Sequence, residues 1–513
     1  MTGLLHISAM ETKPDLRSLE SLAAETVLGG ADMARLLADE NRAEKFCLSA
    51  DDLTLDFTRQ AMTGDVLDAL IAYAEAADIT GKRDAMLDGA HINTSEDRAV
   101  LHARLRDPHA TMAQENVEHM AAAAEDMLAT GIEDVVSIGI GGSALGPEMV
   151  LAALAPFHQG PEVHVASNVD PAELGDLLAG LNPVTTGFVV ISKTFTTRET
   201  MANWAMARRW MEAAGVPIEG RAVAVTNGVD AALRQGFDDA SILTMDEAIG
   251  GRFSLWSAVG MGIMLAFGRE VFVDMLAGAE AMDRHFAETP VALNMPIMGG
   301  LMRFWNTGFK GCPGLAVIPY ESRLRRLPAW LQQLEMESNG KSLGIDGHPV
   351  SMGTAPIIFG EPGSSAEHSF FQMLHQGPMT IPVDLLAARS PLSVVTGLDD
   401  AVAEQHKALI AQMMAQADAF ALGRPDEGFP GGRPVTVMTW DQASPFALGR
   451  VLAYYEHVTA VSGWLCGLNS FDQPGVELGK KLARAYIDWI EDTTSATEMP
   501  PTTEAMLQLF RQR

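Results

Sequence analysis

From Glu133 onward the chain repeats a pattern that few folds accommodate: a short β-rich run, a loop of Gly, Ser, Asn or Thr, then an amphipathic stretch. The first series of runs is Val135–Ile140, Val163–Ala166, Gly187–Ile191 and Ala222–Val225. The second is Gly314–Pro319, Pro356–Phe359, Thr380–Val383 and Val435–Thr439. Strands spaced by helical lengths predict parallel sheets covered on both faces, because a parallel neighbour is reached only through a crossover. The expected class is α/β, with two doubly wound parallel sheets.

The stretch before this series, to about Thr130, is rich in Ala, Leu, Asp and Glu. Stripes such as Val66, Leu70 and Tyr73 have helical spacing, so it reads as helical and peripheral. Roughly Phe267 to Gly311 reads as an apolar helical bridge between the two series. The expected divisions are a helical segment over 1–120 that packs on the second domain, a first α/β domain over 121–290, and a second over 291–513 with a C-terminal helix.

Composition narrows the partners. The 513 residues carry 36 Lys+Arg against 66 Asp+Glu, a formal charge of −30, and no long basic block, which argues against nucleic acid. A small anion remains possible, since a local pocket can be positive on a negative surface. Cys47, Cys312 and Cys466 are odd in number and far apart, which suits a reducing cytosol. Met1 to Glu20 has no apolar core of signal-peptide type. The run Phe253 to Gly268 has 16 residues, short of the roughly 20 that span a bilayer, and reads as a buried helix. A cytoplasmic protein without a membrane partner is expected.

Ligands of doubly wound sheets sit beyond the carboxyl ends of the strands, so the loops there hold the candidates. Ile138-Gly139-Ile140-Gly141-Gly142-Ser143-Ala144-Leu145-Gly146 ends the first run. Its glycines suit close backbone approach to a ligand, or simply a tight turn. Gly139, Gly141 and Ala144 fit the loose dinucleotide pattern, but the acidic residue expected about 20 positions on has no clear counterpart. Ser192-Lys193-Thr194-Phe195-Thr196-Thr197 clusters four hydroxyls and one ammonium at a helix start, a set suited to a phosphate monoester. Thr196 and Glu199 have capping-box spacing, which accounts for one threonine and not the cluster.

Acid–base candidates lie further on. In Glu335-Met336-Glu337-Ser338-Asn339-Gly340-Lys341 the two carboxylates cannot share a helix face, so one at most enters a pocket. A helix end closed by Gly340 is the plainer reading. His368 falls near the start of a helix expected from Ser364 or Ser365 to Gly377. His375 shares its face about 10 Å away, too far for one metal ion. With no H-E-x-x-H or Cys/His cluster, no catalytic metal is expected. Arg252, in Gly250-Gly251-Arg252-Phe253-Ser254, stands at the mouth of an apolar helix and needs an ion pair or a bound anion. Phe471-Asp472-Gln473-Pro474-Gly475-Val476-Glu477-Leu478-Gly479-Lys480-Lys481 opens another helix, with Asp472 as its cap and Pro474 in its first turn.

Together and in this order the motifs resemble the glucose-6-phosphate isomerase family, over about His91 to Lys481. The most specific are Gly250 to Ser257 and Phe471 to Lys480, followed by Ser192 to Thr197 and Met336 to Lys341. The resemblance implies two sugar-isomerase-type α/β domains, a homodimer, and interconversion of glucose 6-phosphate and fructose 6-phosphate without metal or organic cofactor. It implies Glu337 as the base that moves a proton between C1 and C2, and His368 and Lys480 as ring-opening groups. The histidine would enter from the other subunit. Arg252 would stabilise the enediolate, Ser192, Lys193, Thr194 and Thr197 would cradle the phosphate, and Gly142, Ser143, Gln333 and Gln473 would line the pocket. The chain departs from the usual pattern at Ala144, where the family has Asp, at Leu334-Glu335, where it has Gly-Asp, and at Ala366-Glu367, where it has Gly-Gln or Ser-Gln. Glu367 beside His368 is expected to raise the imidazole pKa. Two rival readings are a nicotinamide-dependent oxidoreductase, resting on the Gly139 loop, and a non-catalytic sugar-phosphate-sensing module.

Overall fold

Strand pairing turns the alternating pattern into two separate sheets. The structure, a computed structural model, describes residues 16–491 and 499–511. It divides into two compact units at Ser470. Residues 1–15, part of the stretch read for a leader, lie outside the described residues.

The N-terminal segment is helical except for a hairpin, β1 (Cys47–Ala50) and β2 (Leu53–Asp56), turned at Asp51 with φ of 51°. The helical expectation misses it because four-residue strands carry too little alternation to register. The stripe of Val66 and Leu70 lies buried on helix Gly64–Ala76 as expected.

The first series forms β3 (Asp134–Ile138), β4 (Glu162–Ala166), β5 (Thr186–Ile191), β6 (Ala222–Val225) and β7 (Ile242–Leu243). All are parallel, in the order β4-β3-β5-β6-β7. The chain leaves β3 for β4 on one side and returns to β5 on the other. The loops after β3 and β5 therefore diverge at the switch point, where doubly wound sheets open a crevice. Val136, Ile138, Phe188, Val190, Trp204 and Met211 fill the core beside this sheet.

The second series forms β8 (Gly314–Pro319), β9 (Ile357–Phe359), β10 (Val383–Ser390) and β11 (Val435–Gln442). The sheet runs β1-β2-β11-β10-β8-β9, parallel except for the hairpin, where β2 lies antiparallel to β11 with Asp56 opposite Val437. The third run was expected to begin at Thr380. It begins at Val383 because Pro382 has no N–H for the ladder, although its carbonyl still accepts from the Ala316 N–H at 2.9 Å.

Two long helices, Met261–Glu288 and Pro445–Leu465, join the halves. They meet backbone to backbone. A Cβ on Gly278 would stand 1.9 Å from the Phe446 carbonyl oxygen, and one on Gly449 1.9 Å from that of Met275. Phe253 to Gly268 is buried as expected up to Phe267 but is not one helix. It passes through tight 3-10 turns at Gly251–Trp256 and Ala258–Gly260, and the helix from Met261 is broken at Gly268, with φ of 81°. No helix among the described residues is long and apolar enough to cross a membrane.

Beneath Trp256 lies a buried polar knot. The Trp256 Nε1–H donates to Glu456 at 3.0 Å, and Arg106 bridges Glu456 and Asp283, the latter at 2.7 Å. The His457 ring bonds Asp283 at 2.6 Å. In the C-terminal unit, Pro474–Val476 is a 3-10 turn leading into helix Glu477–Ile490, whose N-cap is Val476 rather than Asp472. The side chain of Glu477 lies outside the described residues.

Candidate active site

The loop after β3 is shaped by what crowds it. Gly141 has φ of 60°, a conformation costly for any residue with a Cβ. At Gly142 a Cβ would lie 2.0 Å from the Gly251 carbonyl oxygen and 2.8 Å from the Arg252 nitrogen. The backbone of Gly250–Arg252 thus seals the loop from one side, and Gln333 approaches Gly141 from another. The Cβ side of Gly142 is therefore filled by protein backbone. Ser143 follows in the same 3-10 turn.

Arg252 is nearly fully buried, and such a guanidinium is tolerated only with its donors engaged. Its Nε–H donates to Ser338 Oγ at 2.6 Å, one Nη to Glu337 Oε1 at 3.3 Å, and the other to the Ser470 carbonyl. The other Glu337 oxygen accepts from Gln333 Nε2 at 2.8 Å. Gln333 and Glu337 sit on a single π-helical turn, Gln332–Glu337, a wide turn that recurs at functional sites. The two carboxylates of this run point apart, as their spacing requires. Glu337 is partly exposed at 23% of its side chain, whereas Glu335 is buried, accepting from Thr459 Oγ1 at 2.8 Å and Asn339 Nδ2 at 3.2 Å.

The loop after β5 supplies the hydroxyls. Phe195 has φ of 52° and plugs the core against Phe237, so its neighbours turn outward around it. Ser192 Oγ–H donates to Thr197 Oγ1 at 3.0 Å, and the hydroxyls of Thr194 and Thr196 share a bond of 2.7 Å. The expected capping box does not form. Thr197, not Thr196, is the N-cap of helix Arg198–Ala213, and it makes no side-chain cap bond. The hydroxyls therefore bond one another instead of the helix end. Lys193 Nζ donates to the Glu247 carbonyl at 2.9 Å and the Ile249 carbonyl at 3.4 Å. That ties this loop to the segment carrying Arg252. Burial, with Arg98 nearby, pushes the Lys193 ammonium below the ordinary lysine pKa.

His368 stands apart. The expected helix is two short ones, Gly363–Glu367 and Phe371–Gln376, and His368 is exposed in the break. The chain turns there because Phe370 packs on Phe359 and Phe371 on Phe420, in different directions. No hydrogen bond or ion pair joins His368 to Glu337 or Arg252 among the described residues. Glu367, next to His368, is engaged elsewhere in the same subunit. Its carboxylate accepts from Tyr320 Oη at 2.8 Å, from Gln412 at 3.0 Å and from Gln416 at 3.3 Å. Lys480 and Gln473 belong to the C-terminal unit, Lys480 in the first turn of helix Glu477–Ile490 and Gln473 just ahead of the 3-10 turn. Ser338, Asn339, Thr459 and Ser470, which fix Arg252 and Glu335, were not singled out from the sequence. Only Ser338 and Asn339 lay within a quoted motif.

A carboxylate held by a guanidinium and an amide, beside a hydroxyl-rich loop at the switch point, can move a proton on an anionic substrate and stabilise charge as it develops. Comparison with known proteins agrees with that chemistry. The phosphoglucose isomerase model matches residues 56–507. A glucose-6-phosphate isomerase of Ruegeria sp. is 39% identical over 512 residues, covering 91% of this chain and 94% of that one. One from Cereibacter sphaeroides is 41% identical over 515 residues, covering 93% and 96%. The crystal structure of a glucose-6-phosphate isomerase from Chlamydia trachomatis has a TM-score of 0.84 and 32% identity, covering 98% of this chain and 99% of that one. A family match over most of the length, with identity near 40% and the same fold, leaves one conclusion: the chain belongs to the phosphoglucose isomerase family.

Proposed function

We propose that this protein interconverts glucose 6-phosphate and fructose 6-phosphate through ring opening and a cis-enediol intermediate. The observation that carries the reading is the pairing of Glu337 with Arg252 and Gln333 at the switch point. Glu337 removes the proton from C2 of the open aldose, and the C–H electron pair forms the C1–C2 double bond as charge passes to the C1 oxygen. Arg252, fixed on its other edges by Ser338 and Ser470, stabilises that charge without reorganising. The proton of the 2-hydroxyl passes to the C1 oxygen, Glu337 returns its proton to C1, and C2 becomes the carbonyl of the ketose. Electrons and protons balance within one substrate, so the route invokes no metal or organic cofactor.

Ser192, Lys193, Thr194 and Thr197 hold the phosphate, the lysine as the point charge and the hydroxyls as donors. Gly142, Ser143, Gln333 and Gln473 line the sugar. His368 and Lys480 open the ring. The exposure of His368 supports a homodimer in which it serves the partner's pocket. We place the protein in the cytoplasm and divide it functionally into 1–120, 121–290 and 291–513. The test is incubation with fructose 6-phosphate and EDTA in D₂O, followed by NMR. Glucose 6-phosphate carrying deuterium at C2 is expected. Saturable binding without turnover would instead indicate a sensing module.

A further inference from the structure

Glu335 is a buried carboxylate with no cation within 4 Å among the described residues. Its hydrogen-bond donors are neutral and Arg303 acts on it only from further off, so burying its charge is costly and its polarity calls for a reason. Its surroundings supply one. Glu335 can only accept. It takes the Thr459 hydroxyl at 2.8 Å and the Asn339 amide nitrogen at 3.2 Å. The same Asn339 nitrogen donates to the Thr459 carbonyl at 2.8 Å and to Ser462 Oγ at 3.0 Å. With its nitrogen turned that way, Asn339 presents Oδ1 to the Ser470 hydroxyl, which donates at 2.7 Å. Ser470 in turn offers its carbonyl to Arg252. Glu335 and the Thr459 carbonyl, neither of which donates, together turn the Asn339 nitrogen toward them, and that sets the direction of the bond on to Ser470.

The helix behind this chain is cut to admit it. A Cβ on Gly463 would stand 1.9 Å from Ser470 Oγ and 2.5 Å from Asn339 Oδ1. Glycine weakens a helix interior, yet here, in Pro445–Leu465, it is what leaves room for the serine and the asparagine. Glu335 also lies on the π-helical turn that ends in Glu337. It therefore grips the proton-transfer carboxylate by the backbone on one side and, through Asn339 and Ser470, the guanidinium on the other.

We propose that Glu335 is a positioning residue of the isomerase site: its buried, acceptor-only carboxylate fixes Asn339 and Ser470, and through them the separation of Arg252 and Glu337. The proposal rests on the isomerase reading above. Glu335→Gln keeps the shape but brings two N–H donors to a site built from donors, so the Asn339 amide is left with the Thr459 carbonyl and Ser462 alone to hold its sense. The expected result is a kcat roughly ten- to a hundredfold lower, with KM for fructose 6-phosphate within about twofold, and an altered pH profile of kcat because the partner of Glu337 is no longer held. Glu335→Asp, which restores an acceptor-only group, should recover part of the loss. Unchanged kcat and pH profile in Glu335→Gln would overturn the proposal. So would a lower melting temperature with normal kcat in the folded fraction, which marks a structural role alone. If Glu335→Gln does not fold, Ser470→Ala decides by the same readouts, since it removes the hydroxyl link and keeps the carbonyl that Arg252 uses. Absence of isomerisation by the parent protein would refute the isomerase reading itself, an outcome distinct from either.

Discussion

Gly142→Ala tests how closely the site depends on backbone contact. The added Cβ would meet the Gly251 carbonyl oxygen at 2.0 Å, its carbon at 2.3 Å and the Arg252 nitrogen at 2.8 Å. All three are backbone atoms, so no side chain can swing aside. Real contacts of this kind essentially never fall below 3.0 Å, and the segment must retreat by about 1 Å. Arg252 rides on that segment, and its bond to Glu337 at 3.3 Å would not survive such a shift. A displacement of about 1 Å can cost on the order of 10²-fold in rate, or about 2.7 kcal/mol of transition-state stabilisation. Overpacking should also remove about 1–3 kcal/mol of stability. The assay is steady-state isomerisation of fructose 6-phosphate, with Gly250→Ala as control. A Cβ on Gly250 meets only Phe253, at an ordinary 3.5 Å, so that variant should stay within about twofold. Equal activity of Gly142→Ala and Gly250→Ala would refute the reasoning, because the loop would then not brace Arg252.

Glu337→Gln should lower turnover by about 10⁴-fold or less while sugar-phosphate binding survives, checked by kinetics and calorimetry side by side. Lys193→Ala should raise KM far more than it lowers kcat. Because burial lowers the Lys193 pKa, KM of the parent enzyme should begin to climb at a lower alkaline pH than a free lysine would give, and the variant should lose that limb. Burial lifts the Glu456 carboxyl to about 7 against the pull of Arg106. The folded protein then binds that proton more tightly than the unfolded chain, so this contribution is fully present below the unfolded value of 4.5 and is lost as pH rises through about 7. Denaturant unfolding at about pH 5 and about pH 7.5 should show the gap between Glu456→Gln and the parent changing by on the order of 1–3 kcal/mol. A pH-independent gap would rule the shift out.

The two parallel sheets were legible because each buried strand leaves a β-rich run and each crossover leaves helical spacing. The divergence of Glu335 and Glu337 was legible from spacing alone, and so was the need of Arg252 for a partner. The identity of those partners was not. Ser470 serves through its carbonyl, which every residue possesses, so no side-chain pattern could announce it. The π-helical turn at Gln332–Glu337 shifts the hydrogen-bond register of the backbone and has no residue signature. The break at His368 arises from aromatic packing on two different surfaces, a tertiary fact that overrides an otherwise acceptable helix. The capping box failed for a related reason: the turn at Phe195 brings Thr194 to Thr196, and the two hydroxyls bond each other instead of the helix end.

The hairpin of β1 and β2 has a consequence for the order in which the molecule is completed. β2 pairs with β11, whose residues follow about 380 positions later. At the usual pace of about 5–20 residues per second, that partner leaves the ribosome roughly 20 to 75 s after the hairpin does. A pairing so remote in sequence carries a large loop-closure cost and forms late. Arg450, which anchors the Asp52 turn, arrives later still. The N-terminal edge is therefore a late seam to close. Until it does, a nascent chain exposes both the hairpin and the flank of β11, and that is where a chaperone, or a second unfinished chain, would take hold.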